Sequence, residues 1–163
     1  MRRVSLSLCG NDPRYNKNHM TAQRSTKETR SYSKKRKEDE TADCPFCAIE
    51  LGQEQYVSET KHLKVIRNRT PYSLWDSQGV LDHLMVVPKQ HTGKLGGLGD
   101  EAAREFIALI DRYEEDGYAF YGRAPGSAVR SVVHQHTHLL KLDGKKRKFL
   151  LMVRRPWYVR LSK

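Results

Sequence analysis

The chain has 163 residues, with 30 Lys and Arg against 19 Asp and Glu, and a formal net charge of +11 at pH 7. That length suits one domain with room for a tail, and the positive balance favours an anionic partner: a nucleotide, a nucleic acid or an acidic surface. No stretch is long and apolar enough to span a bilayer, and the apolar run after the basic opening "MRRVSLSLCG" is too short for a secretory leader, so a cytoplasmic protein with no membrane partner is expected.

Residues 1–43 read as a disordered basic N-terminal tail. Within them, 21–43 contain no Val, Ile, Leu, Met, Phe or Trp, too little apolar surface to build a core. The run "KKRK" offers a contact for nucleic acid, although such runs are more often solvated tails. Met20 is an alternative start. The domain is expected over 44–163.

It opens with "CPFCAIELG", residues 44–52, a short helical turn stopped by Gly52. "QYVSET" and "HLKVIRNR" read as a strand pair, with Val57, Leu63, Val65 and Ile66 as β-formers. "DHLMVVPKQH" is a central strand ending at Pro88. "GLGDEAAREFIALIDRYEEDG" is the clearest helix, capped by Asp100, striped by Phe106, Ile107, Ile110 and Tyr113, and ended at Gly117. Its "GGLGD" entry lacks the Lys-Ser/Thr of a phosphate loop and reads as a connection. "YAFYGR" is a strand, "APGS" a loop, "VVHQHTHLLKL" a strand, "DGKKRK" a turn and "FLLMV" a last strand before a basic end. Strands on both sides of one long helix predict an α+β domain.

Three of the seven histidines, His134, His136 and His138, stand at alternating positions. On a strand they project to one side. That row fits a solvent-facing strand, a metal site, or a nucleophile with helpers, since a neutral imidazole can attack phosphorus and split one displacement into two. Cys44 and Cys47 form a CxxC, which in a reducing compartment indicates metal or redox chemistry rather than a staple. His62 and His19 read as surface or tail residues.

"HQHTHLL" resembles the signature of the histidine triad (HIT) family, "DHLMVVPKQH" its "GHxLVIPKxH" strand, and "CPFCAIELGQE" its opening "CxFCxIxxGE". The three occur in the family's order over roughly 44–142. The resemblance implies a HIT-like fold: a central antiparallel sheet with one long helix and a short N-terminal helix, usually as a homodimer. It implies a nucleotide hydrolase or nucleotidyl transferase acting on nucleoside phosphoramidates or dinucleoside polyphosphates through a nucleotidyl-histidine. His136 would then be the nucleophile. Ser131, Arg130 and His138 would bind the nucleotide's phosphate, and His138 and Ser131 would also assist catalysis. A nucleotide-binding regulatory protein with little turnover is the alternative, because Val129 and Arg130 stand where the family has a glycine and an amide, and no Asn occurs in "YAFYGRAPGS". Zinc-containing bacterial members imply a structural zinc on Cys44, Cys47, His83 and His134. Phe46, Ile49, Ile66 and Trp75 are candidate walls for the base, and Arg123 a further phosphate complement.

Overall fold

The computed structural model describes residues 22–23, 44–127, 130–147, 150–154 and 158–162. In chain order the elements are β1 (Ala22–Gln23), β2 (Tyr56–Glu59), β3 (Leu63–Arg67), β4 (Leu74–Trp75), β5 (Gln78–Pro88), a 3-10 turn (Leu95–Gly97), α1 (Asp100–Glu115), β6 (Tyr118–Gly122), β7 (Thr137–Leu142), β8 (Leu150–Arg154) and β9 (Tyr158–Ser162). The central sheet runs β2-β3-β5-β7-β6 with every neighbouring pair antiparallel. A ribbon of β1 and β4 continues it along the first residues of β5, and β8 and β9 form a separate hairpin. This is the α+β, antiparallel arrangement expected from the sequence. β9 lies in the basic end, where charge masks the strand pattern.

Side chains alternate across the sheet because successive residues of a strand point to opposite faces. Leu63, Val65, Leu84, Val86 and Leu139 meet Leu109 and Ile110 of α1 on one face. Each of these buried aliphatic chains contributes about 2 kcal/mol of apolar transfer energy. The opposite face carries Ile66, Met85 and Val87 beneath Phe46 and Ile49, and Leu140 beneath Tyr72 and Trp75. That second face, sealed by loops rather than by a helix, holds the histidines.

Several expectations change in detail. Residues 45–48 form turns, with Ala48 N–H donating to Cys44 O at 3.2 Å, not a helix. The stripe of α1 uses Leu109, while Ile107 is 66% exposed. Gly99, not Asp100, is the N-cap, and Asp100 and Glu101 instead place acidic groups in the first turn, where the helix dipole favours them. Gly117 does end the helix, at a φ of +81° that a side chain would resist. Among the described residues no helix is long and apolar enough to cross a membrane.

Candidate active site and metal cluster

The three histidines do not share one strand. β7 begins only at Thr137, so His134 and His136 lie on the loop that enters it, and His138 alone is a strand residue. The three histidines are buried: His134, His136 and His138 are 0%, 7% and 5% exposed, which removes the solvent-facing reading. The loop's shape comes from polar groups that take the place of a ladder. Arg130 donates to the carbonyls of Val132 (Nε, 3.0 Å) and Val133 (Nη2, 2.6 Å), and Gln135 N–H reaches Thr92 O at 2.6 Å.

His136 Nδ1 lies 2.8 Å from the carbonyl oxygen of His134. A carbonyl only accepts, so Nδ1 carries the proton and Nε2 keeps a lone pair. Burial, reinforced by the charges of Arg130 and Arg123 and partly opposed by that carbonyl, pushes the His136 pKa down and holds the ring neutral. Phe46 meets it edge-on, with centroids 5.0 Å apart.

His138 lies opposite Met85 and Tyr121 in the sheet. Tyr72 backbone N–H donates to His83 Nδ1 at 3.1 Å, and His83 Nε2 lies 2.9 Å from His138 Nδ1 and 3.1 Å from Asn68 Nδ2. Tyr121 stacks on His138 at 5.6 Å, and Arg123, which donates to Tyr72 Oη at 3.2 Å, stands over the Tyr121 ring.

His134 is arranged the other way round. Its Nε2 donates to Pro88 O at 3.0 Å, which leaves Nδ1 unprotonated, 3.5 Å from Cys44 Sγ and 3.4 Å from Cys47 Sγ. His91 Nδ1 lies 3.4 Å from Cys47 Sγ. One ligand atom from each of Cys44, Cys47, His91 and His134 falls within 4.8 Å of the others. Burial first, then the neighbouring His91, lowers the His134 pKa to about 4. Burial and the adjacent Cys44 raise that of Cys47. Buried Lys64 donates to Ile49 O at 2.7 Å and ties the cysteine turn to β3.

The fourth member of this cluster is His91, not His83. His83 points from β5 at His138 with both ring nitrogens engaged, whereas His91 lies past the end of that strand, beside the cysteine turn. The sequence carried a signal for this in the histidine that closes "PKQH". The structure brings His136 and His138 together, at 5.1 Å between centroids. Ser131 is exposed on the entering loop. Of the candidate base walls, Phe46 touches His136, whereas Ile66 is fully buried and Ile49 and Trp75 sit in core clusters. Sequence reading missed Asn68, Tyr72 and Lys64, whose roles depend on which buried atom each faces.

No family model matches the chain. It is 26% identical over 112 residues, 61% of this chain and 70% of the relative, to adenosine 5'-monophosphoramidase HNT1 of Candida albicans. A histidine triad nucleotide-binding protein from Candida albicans shares the fold with a TM-score of 0.50 at 21% identity, covering 65% of this chain and 77% of that one. A HIT family member from Bacillus subtilis superposes with a TM-score of 0.49 at 25% identity, covering 63% and 75%.

Proposed function

We infer that this chain, a histidine triad protein, is a nucleotide hydrolase in which His136 attacks a nucleotide α-phosphate and forms a covalent nucleotidyl-histidine. One observation carries the reading: His136 gives its Nδ1 proton to a backbone carbonyl, so a buried, neutral Nε2 lone pair remains for attack. The Nε2–P bond forms as the bond from phosphorus to the leaving group breaks. His138, beside His136, is the proposed group that protonates a departing amine or oxygen. Water then cleaves the P–N bond and regenerates the imidazole. Arg130, His138 and the Ser131 hydroxyl are the proposed phosphate contacts. The phosphoramidase named among the relatives supports the hydrolase class.

Structural zinc on Cys44, Cys47, His91 and His134 is part of this proposal. Two thiols and two imidazoles make a closed set of the kind structural zinc takes, and the hydrogen bond from His134 to Pro88 already selects the ligating tautomer. When bound, zinc would supply a crosslink between the cysteine turn and the triad loop. Because His134 serves the metal, the chemistry falls to His136 and His138. We also assign the protein to the cytoplasm, where free thiols such as Cys44 and Cys47 persist.

A homodimer is the proposed assembly. β6 pairs only with β7 among the described residues, and its Phe120 is 52% exposed, so the sheet ends on an unpaired strand with an apolar side chain.

His136→Ala should abolish turnover of adenosine 5'-phosphoramidate while the far-UV circular dichroism is kept. Unchanged turnover in that folded variant would sink the assignment. Tight nucleotide binding with no turnover by the wild-type protein would favour the regulatory alternative.

A further inference from the structure

Arg130 occupies an unusual position for a basic side chain. Its guanidinium is fixed by Nε to Val132 O, by Nη2 to Val133 O, and by Nη2 to Gln135 Oε1 at 3.4 Å. These bonds tie it to the chain segment that enters the triad. Its remaining nitrogen, Nη1, is buried and has no hydrogen-bond partner. No carboxylate pairs with Arg130 among the described residues, so a cation is held on the loop that carries the nucleophile, against Gln135, without a counter-ion. Burying an N–H of a charged group without an acceptor is costly, and a bound anion would relieve it. Arg130 and Arg123 are the charged side chains that act on His136.

We infer that Arg130 makes this site select substrates whose leaving group is itself an anion, a phosphate or polyphosphate, over those whose leaving group is a neutral amine. The inference rests on the hydrolase reading above and sharpens it. When His136 Nε2 bonds to the α-phosphorus, the breaking P–O bond leaves its electron pair on the departing phosphate. The guanidinium, held by Nε and Nη2, can donate Nη1–H to that developing charge once substrate binding uncovers the atom. A departing amine gains nothing from a fixed cation; it needs a proton, which Arg130 cannot give. The amide expected at this position from the family resemblance would treat the two more evenly.

The test compares kcat/KM for diadenosine triphosphate and for adenosine 5'-phosphoramidate in the same protein. The wild-type ratio should favour the triphosphate. In Arg130→Gln that ratio should fall by about tenfold to a hundredfold, the weight of one charge-assisted hydrogen bond. Arg130→Lys, which keeps the charge and loses the fork, should lie between. Inorganic pyrophosphate should compete with substrate in the wild-type protein, a measurement that holds even where the variants fold poorly. A wild-type protein that cleaves the phosphoramidate faster and ignores pyrophosphate overturns the selectivity and leaves the hydrolase reading standing. An unchanged ratio in folded Arg130→Gln also overturns it. Absence of turnover on both substrates, with no nucleotidyl adduct, overturns the hydrolase reading itself.

Discussion

His83 shows how much at this site depends on single atoms. The family resemblance implies that it is a metal ligand. Its Nδ1 instead accepts from the Tyr72 backbone N–H, and its Nε2 meets Nδ1 of His138. In the proposed mechanism His83 is thus a positioning residue that acts through His138. Its ring is 2% exposed, so removing it strands a buried backbone N–H and the Nδ1 of His138. His83→Ala should cost about 2 kcal/mol in urea unfolding and lower kcat by about a hundredfold, the scale of a lost general acid. Metal content should stay at the wild-type level, because the cluster uses His91. A variant that loses metal would restore His83 to the ligand set.

At the scale of elements, β3 and the second half of β5 were legible as short, nearly continuous apolar runs, because both sheet faces are covered and almost every residue there is buried, and α1 was legible from its helical spacing. The loop 130–136 could not be read in this way. It contains β-formers, yet Arg130 takes its carbonyls and Thr92 takes the Gln135 amide, so no ladder forms until Thr137. The β4–β5 turn was equally hidden: Asp76 and Ser77 adopt positive φ without the glycine that marks such turns. The first half of α1 is clipped to the β2–β3 connection by Glu105, which accepts from Thr60 Oγ1 at 2.6 Å and His62 N–H at 3.1 Å. The Thr60 bond is the largest cause that lowers the Glu105 pKa to about 2. A depressed carboxyl pKa stabilises the fold above the unfolded value and ceases to do so as pH falls through the folded one. Glu105→Gln should therefore lower the melting temperature at pH 7, and the gap from wild type should narrow from about pH 4.5 downwards. A gap that stays constant between pH 5 and pH 3 would remove the charge from the account. The cysteine turn makes a parallel case for an element held by few contacts. Purified protein should carry about one zinc per chain, and Cys47→Ser should lose it together with thermal stability. Zinc-free wild-type protein would leave the pair as plain thiols.

At the scale of the whole molecule, motif order alone pointed to the sheet and the long helix and singled out His136 and His138 as the proposed reactive pair, because their spacing is local. It could not show that His134 meets the cysteine turn while His136 and His138 lie together. That division depends on where Pro88, His91 and the cysteine turn meet, across ninety residues of chain between Cys44 and His134. Nor could it show which sheet edge stays open. β2 closes one side with Glu59, held by Lys89 at 2.7 Å, a charged edge of the kind that resists further pairing. β6 has no such guard at Phe120, and Tyr121 on the same strand stacks against His138. A second copy added at β6 would extend the sheet and support the strand that carries the site. The protein should then run at twice its chain mass, 18.9 kDa, in light scattering at micromolar concentration. Phe120→Lys places a charge on that edge without touching the core, and it should give the single-chain mass with the fold intact. It should also weaken turnover, because Tyr121 and His138 would lose the support of a paired strand. A wild-type protein that stays monomeric at a hundred micromolar, with full turnover, would show that β6 needs no partner.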